Sequence, residues 1–112
     1  MTFCIDNTQH PLIINSGAHS SIVARHYLDN HFPNWGNKLL PTKAKNFKRA
    51  SGNTTSIGTI IKGIILPHRK GNIRLNPEFV VLDDANIQGF LLGMDYQRMY
   101  GIEIYNSCKV WI

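Results

Sequence analysis

The side chains best suited to chemistry stand in Asn15-Ser16-Gly17, directly after the apolar run Leu12-Ile13-Ile14. Asn15 offers a carboxamide and Ser16 a hydroxyl, while Gly17 permits a tight turn because it has no Cβ. A carboxamide does not ionise in the useful pH range, and its oxygen is a weaker base than a carboxylate oxygen. Asn-Ser-Gly alone is common in turns, so a functional interpretation depends on the segments around it.

The other acidic side chains do not form an obvious catalytic pair. Asp83 and Asp84 are adjacent, so in a strand they would point to opposite faces. We interpret them as a solvated turn. Asp95 stands at the start of a helix-like segment and is interpreted as a helix-start residue. No pair of carboxylates is therefore predicted from spacing alone.

Metal and cofactor chemistry is not predicted. His19, His26 and His31 are separated by seven and five residues, which does not place all three on one helical face. Cys4 and Cys108 match no metal-binding spacing, and we expect two reduced, packed thiols. The sequence predicts neither a bound metal nor a cofactor.

The elements that must position Asn15 are mostly strands. Thr2–Ile5 and Leu12–Ile14 are predicted to form a hairpin across a turn at residues 6–11, and Ser20–His31 is predicted to be a helix that Pro33 ends. Residues 34–42 read as a loop. Met94–Tyr100 is a second, short helix that Gly101 stops. The other predicted strands are Lys43–Ala50, Thr55–Leu66, 73–81, 90–93, 102–105 and 110–112.

Composition indicates one folded domain over residues 1–112. Hydrophobic residues make up 43% and charged residues 17% of the chain, which is ordinary for a globular protein. No apolar run is long enough to span a membrane. The N-terminus has no basic start followed by an apolar segment, so no signal peptide is predicted. We expect a cytoplasmic protein.

The net charge of +5 allows a nucleic-acid partner without predicting one. No zinc-finger spacing, Gly-rich phosphate loop or aromatic RNA-binding motif accompanies the basic residues. Solvated surface is the favoured interpretation, and nucleic acid the less favoured one. The basic residues fall into two groups: Lys43, Lys45, Lys48 and Arg49, then His68, Arg69, Lys70 and Arg74.

Three segments, in order, resemble the retropepsins, the single-domain aspartic proteases of retroviruses and retrotransposons. Leu12–Ala18 resembles their catalytic loop, in which two apolar residues run into Asp-Ser/Thr-Gly-Ala. The segment from Ala50-Ser51-Gly52 to Gly58 resembles the flap hairpin. Phe90–Tyr96, followed by Tyr100–Ile104, resembles the Ile-Leu-Gly-x-Asp-Trp segment of gypsy-type retrotransposon proteases. The resemblance covers roughly residues 2–105.

This resemblance implies an all-β, closed retropepsin-like barrel with a flap at about 47–58, a helix after the active-site loop and a short C-terminal helix. It implies a homodimeric endopeptidase that processes a retrotransposon polyprotein. Three residue groups carry roles over from the family. They are the catalytic loop Asn15, Ser16 and Gly17, the peptide-binding Ala18, Ser51, Gly52 and Asn53, and the loop-supporting Leu91, Leu92 and Gly93.

Asn15 stands where the resemblance places the catalytic Asp. Aspartic proteases use two nearby carboxylates that share a proton and activate one water molecule. One chain supplies one such loop, so two copies must pair about a two-fold axis. Two amides at that axis cannot activate water, and the chain as written is predicted to be inactive.

The sequence leaves the history and role of this chain open. Transposon decay, recruitment as a non-catalytic dimer and an engineered substitution all fit Asn15, and the short segment 107–112 favours decay or truncation. The alternatives to a protease are a non-catalytic peptide-binding or dimerisation module and a basic nucleic-acid-associated domain. Salt separates these, because phosphate contacts release counterions and weaken steeply as salt rises.

Overall fold

Strands dominate the fold. The structure, a computed structural model, describes residues 2–5, 7–14, 17–40, 46–49, 52–68, 71–84, 87–106 and 109–111. Two α-helices, α1 (Arg25–His31) and α2 (Met94–Tyr100), and one 3-10 helix, Trp35–Lys38, accompany the strands. The strands are β1 (Thr2–Ile5), β2 (Thr8–Ile14), β3 (Ile22–Ala24), β4 (Asn46–Arg49), β5 (Gly52–Ile61), β6 (Ile64–His68), β7 (Gly71–Leu75), β8 (Glu78–Leu82), β9 (Phe90–Leu92), β10 (Glu103–Asn106) and β11 (Lys109–Trp111).

The described strands form one sheet that curls into a half-barrel. The strand order is β10-β11-β6-β1-β2-β9-β3-β8-β5-β4, and β7 pairs with β6. Most neighbours are antiparallel, but β2–β9, β3–β8 and β11–β6 are parallel. Strand β9 therefore lies between β2, which precedes the loop that contains Asn15, and β3, which follows that loop.

Aromatic side chains fill the centre of the core. Phe90 on β9 is 1% exposed, and its ring meets Phe3 and Phe79 edge to face at centroid distances of 5.3 and 5.0 Å. This geometry is the favoured one for aromatic pairs. Leu28 of α1 and Leu92 of β9 are fully buried in the same core. The core thus packs directly behind β9 and ties both flanking strands to it.

Two predictions about the first third of the chain need correction. The second strand begins at Thr8 instead of Leu12, because Asn7 takes the left-handed conformation (φ 66°) and shortens the turn. The predicted helix Ser20–His31 begins only at Arg25. Ile22–Ala24 is a strand that is buried throughout: β8 and β9 pair with its two edges, and its side chains pack into two apolar clusters. A short apolar run of this kind has no periodicity that separates strand from helix.

Predicted strands in the middle of the chain break at places where the sequence looked continuous. Lys62-Gly63 divides the predicted strand Thr55–Leu66 into β5 and β6, and β6 continues through Pro67 to His68. Asn76-Pro77 divides 73–81 into β7 and β8. Part of the predicted loop 34–42 is the 3-10 helix.

The end of the chain matches its prediction closely. Strand β9, helix α2 and the left-handed Gly101 (φ 61°) that stops α2 are confirmed, as are strands near 102–105 and 110–112. None of the helices in the described part of the chain could cross a membrane.

Candidate active-site loop and its supports

The loop that contains Asn15 begins and ends beside the same strand. In the parallel pair β2–β9, Ile14 stands opposite Leu92, so the carboxyl ends of both strands meet at one edge of the sheet. In the antiparallel pair β3–β9, Ile22 stands opposite Leu91. The chain between Ile14 and Ile22 therefore passes the end of β9, where Gly93 follows. Asn15 and Ser16 lie outside the described residues, so the frame around them is what the structure defines.

Gly93 lets the loop approach the end of β9 at backbone contact. A Cβ at position 93 would lie 2.5 Å from the carbonyl oxygen of Ser20 and 3.0 Å from that of Ala18. Real Cβ atoms do not tolerate the shorter distance, and both neighbours are backbone. Glycine is therefore required here by contact and not by its φ angle.

Backbone hydrogen bonds then fasten the loop to the start of α2. The N–H of Met94 donates to the carbonyl of Ala18 (2.8 Å), and the N–H of Asp95 donates to the carbonyl of His19 (3.2 Å). The first N–H groups of a helix have no partner within the helix. Here the loop supplies two acceptors, so the loop and α2 satisfy each other's polar groups.

Ser21 and Asp95 complete this attachment with side-chain bonds. The Asp95 carboxylate accepts from the Ser21 hydroxyl (2.8 Å) and from the Ser21 backbone N–H (3.0 Å). The Ser21 hydroxyl oxygen in turn accepts from the N–H of Gly93 (2.9 Å). Ser21 is fully buried, so its hydroxyl and N–H groups cannot reach water and would have no hydrogen-bond partner without these contacts. The three residues form a closed network across the base of the loop.

Apolar side chains stand on the surface beside the loop. Ile13, one residue from the end of the described part of β2, is 48% exposed, and its neighbour across the parallel pair, Leu91, is half-buried. Leu92, the next residue of β9, points to the other face and is fully buried. An exposed apolar surface next to backbone hydrogen-bonding groups suits the binding of an extended peptide, whose apolar side chains it can contact.

A two-stranded arm extends from the other end of the sheet. Among the described strands, β4 pairs with β5 alone, from Arg49↔Gly52 to Asn46↔Thr55. The pairing of β5 with β8 starts at Ser56↔Leu82. Residues 52–55 of β5 are thus paired with β4 and lie beyond the pairing with β8. This hairpin occupies the position that the sequence assigned to the flap.

Gly58, which the sequence placed at the end of the flap segment, is held in the body of the sheet. It is buried, and a Cβ there would lie 2.7 Å from the carbonyl oxygen of Leu40. Leu40 and Thr59 form an isolated bridge with backbone bonds of 2.8 and 3.0 Å. Gly58 therefore marks the fixed base of the arm, where β5 bulges between Ser56 and Gly58.

The remaining predicted residues occupy varied positions. Gly17 is exposed and Ala18 is half-buried at the loop's inner edge, while Gly52 and Asn53 lie in the arm. Ser51 lies outside the described residues. Asp83 is exposed, 3.7 Å from the Arg25 guanidinium.

The histidines are dispersed. His19 is exposed on the loop, His31 contacts the ring of Tyr27, and Nε2 of His26 donates to the carbonyl of Ile87 (2.7 Å). Among the described residues, no group of three or more potential ligands could hold a metal ion.

Ser21 and Ile13 are the residues that sequence reasoning missed. Ser21 was placed inside a helix, and its partner Asp95 is 74 residues away, a separation that no local pattern reveals. The exposure of Ile13 could have been predicted, because successive side chains of a strand point to opposite faces and its neighbour Leu12 is buried.

Comparison with known proteins finds likeness in structure and none in sequence. No family model matches the chain, and the search of curated proteins gave no match. The retroviral protease-like domain of Ddi1 from Leishmania major has a TM-score of 0.68 at 15% identity, covering 92% of this chain and 77% of its own. EIAV protease, solved with the inhibitor HBY-793, has a TM-score of 0.61 at 16% identity, covering 95% and 90% respectively.

These likenesses concern the fold. The TM-scores show a shared architecture, and sequence identities of 15% and 16% are too low to assign the neighbours' activity to this chain. The predicted all-β, retropepsin-like fold with a flap hairpin and two helices is confirmed. The chain has a retropepsin-like, aspartic-protease-like fold.

Proposed function

We propose that this chain is a peptide-binding domain of the aspartic-protease type that works as a homodimer and does not hydrolyse its peptide. The observation that supports this most strongly is the network of Gly93, Ser21 and Asp95, which fastens the loop containing Asn15 over the end of β9. The network holds the described end of the loop at a defined place beside β9. Asn15 would bring an amide to the site, which binds hydrogen-bond partners but is not a general base.

Peptide binding by main-chain pairing does not need a carboxylate. An extended peptide between the loop and the hairpin arm would form β-type hydrogen bonds, and Ile13 and Leu91 would contact its side chains. Each chain contributes one loop and one arm, so a symmetric pair would enclose the peptide from both sides. We place the proposed dimer contact at the loop and the C-terminal strands, of which β11 pairs with β6 within its own chain at Val110↔His68. A retrotransposon polyprotein is the proposed ancestral substrate.

A cleavage and binding assay on three proteins tests this proposal. The chain as given, Asn15→Asp and the matched control Asn15→Ala are each incubated with a peptide library at acidic pH. We expect cleavage only with Asn15→Asp, at a rate at least on the order of 10⁴-fold above the other two, because the lost group is the acid–base centre. A statine-type peptide should abolish that cleavage.

Two outcomes contradict the proposal. Inhibitable cleavage by the chain as given would show that Asn15 is not the position of the missing acid. Absence of peptide binding by all three folded proteins would show that the fold no longer serves peptides. Binding that is retained from low to high salt supports a peptide site, whereas binding to nucleic acid would fall steeply with salt. Sedimentation over a concentration series measures the dimer, and a strict monomer at high micromolar concentration argues against it.

A further inference from the structure

A cleft with a basic wall lies beside the start of β2, because its lining residue Ile5 pairs with Thr8, whereas the candidate active-site loop follows the other end of β2 at Ile14. It has a volume of about 240 Å³ and is lined by Lys38, Lys62 and Arg74, together with Gly63 and Asn76. None of the described residues that line it is acidic. Lys62 follows the end of β5, and nine residues of strand, about 30 Å at the usual rise per residue, separate Gly52 from Ile61. The cleft therefore lies at the opposite end of β5 from the part that pairs with β4 in the hairpin arm.

Fixed backbone positions bring these three cations together. The bridge between Leu40 and Thr59 holds the 3-10 helix that carries Lys38 against β5. The N–H of Lys62 donates to the carbonyl of Pro77 (3.2 Å). On the opposite wall, Arg74 of β7 is paired with Ile65 of β6. The positive charges therefore converge because of the strand register and not because of flexible side chains alone.

Unlike the exposed Lys38, Lys62 is buried. It is only 9% exposed, and its ammonium lies 4.3 Å from the centroid of the Phe32 ring. Burial of an ammonium is unfavourable unless nearby groups compensate its charge. Lys62 therefore brings a largely buried positive charge to the boundary of the cleft. Gly63 also lines the cleft, and a Cβ there would come within 3.1 Å of Asn76 Oδ1.

An aromatic hollow adjoins the basic cleft. Lys38 and Lys62 line both spaces, and the second one, of about 220 Å³, is bordered by Phe32 and Trp35. Trp35 Nε1 donates to Asp29 Oδ1 (2.8 Å), which fixes the orientation of the indole. Each space alone is smaller than a usual ligand pocket, which has about 300–1,000 Å³, but the two together fall within that range.

We propose that the basic cleft binds the phosphate group of a mononucleotide-sized ester, and that the aromatic hollow accepts the flat ring of the same molecule. Three cations favour a phosphate dianion over a single carboxylate, because a phosphate monoester carries close to two negative charges at pH 7. Arg74 would form paired hydrogen bonds to two phosphate oxygens, which suits a guanidinium better than an ammonium. Rings of nucleobase size stack on aromatic side chains irrespective of base.

NMR titration of the full 112-residue chain with adenosine 5′-monophosphate tests the proposal. We expect shifts at the amides of Lys38, Gly63 and Arg74 and at the indole N–H of Trp35. Adenosine and inorganic phosphate should each bind at least about tenfold more weakly, since each lacks one part. Lys38→Gln and Arg74→Gln should each weaken binding about tenfold or more, the usual range for a lost charged hydrogen bond.

Arg98→Gln is the matched control, because it removes the same charge from an exposed position on α2. It should leave the affinity unchanged. Absence of shifts at millimolar nucleotide overturns the proposal, and so does equal weakening by Arg98→Gln and Arg74→Gln. If inorganic phosphate binds as tightly as the nucleotide, the ring part of the proposal is wrong. If a single-stranded oligonucleotide binds far more tightly and Arg98→Gln weakens it equally, the surface is a general nucleic-acid surface and the small-ligand proposal fails.

Discussion

The carboxylate of Asp95 accepts two hydrogen bonds from Ser21, one from its hydroxyl and one from its backbone N–H. The residues are 74 positions apart, so this contact joins the strand that follows the loop to the helix that follows β9. The same Ser21 hydroxyl accepts from Gly93, which makes the contact part of a closed network. The loop geometry thus depends on a carboxylate that has no catalytic part in the proposed function.

Removal of this carboxylate should destabilise the fold. Asp95→Ala leaves the buried hydroxyl and N–H of Ser21 without their acceptor, and such a loss costs about 1–3 kcal/mol. We expect the free energy of unfolding in urea to fall by that amount. In a double-mutant cycle, Ser21→Ala and Asp95→Ala should be coupled by about 0.5–3 kcal/mol, as contacting residues are.

Asp83→Ala is the control for this measurement. Asp83 is 71% exposed in its side chain and lies 3.7 Å from Arg25, and exposed ion pairs contribute about 0–1 kcal/mol. Its removal should change stability far less than Asp95→Ala. Equal effects of the two substitutions, or additivity of the Ser21 and Asp95 substitutions, would show that the network does not hold the loop.

Local sequence patterns predicted strand β9 and helix α2 well. Apolar residues before Gly93 indicated a buried strand, and Gly101 indicated a helix end in the left-handed conformation, as the structure shows. The same reasoning failed at Ile22–Ala24, because a strand that is covered on both faces is apolar throughout and loses its alternation. Pairing partners decide such a segment, and partners distant in sequence leave no local signal.

Gly93 should tolerate no side chain. Gly93→Ala would place a Cβ 2.5 Å from the Ser20 carbonyl oxygen, so the loop and β9 must separate. Overpacking of a tight site costs about 1–3 kcal/mol or more, and thermal unfolding should occur at a clearly lower temperature. Gly36→Ala is the matched control, because nothing lies within 4 Å of a Cβ there. Comparable losses in the two variants would contradict the close approach of loop and strand.

Stability should fall below neutral pH because of His10. His10 is 4% exposed, and its Nδ1 lies 2.7 Å from the Tyr27 hydroxyl. Burial, followed by the charges of His31 and Lys62, lowers the pKa of His10 below its usual 6.5. The unfolded chain therefore binds more protons than the folded one in this range, so stability rises with pH. We expect stability to be complete above about pH 6.5 and to decline as the pH falls from there toward the folded-state pKa.

Urea titrations at several pH values between 5 and 7.5 measure this decline. His10→Asn keeps a polar atom near the Tyr27 hydroxyl and removes the titrating imidazole, so the slope of stability against pH should become shallower. His19→Asn removes an exposed imidazole and should keep the original slope. A slope that His10→Asn does not change would assign the acid sensitivity to other groups.

The composition of the candidate site was only partly predictable. Asn15 and Gly93 were assigned from the resemblance of two short apolar segments to a family; Gly93 lies against the loop, and the role of Asn15 stays a prediction. Ser21 gained its role through tertiary contact, and contact with Leu40 makes Gly58 part of the base of the hairpin arm. The identity of a residue that holds a site in place depends on the residues packed against it. A residue that performs chemistry must instead be one of the few amino-acid types that can do so. Sequence reasoning therefore identifies the second group more readily.

The hairpin arm should exchange its amide hydrogens faster than the strand from which it extends. Residues 52–55 pair with β4, whereas residues 58–61 pair with β8 and Thr59 also forms a bridge with Leu40. Segments with fewer stabilising contacts open at a lower free-energy cost. Hydrogen–deuterium exchange should show this contrast and a gain in protection at 52–55 when an extended apolar peptide is added. Gly52→Val should weaken peptide binding without loss of the fold, while Gly58→Val should unfold the protein because its Cβ would meet Leu40 at 2.7 Å. Strong protection of 52–55 without peptide, or no gain with it, would mean that the arm is a fixed part of the sheet and does not close over a ligand.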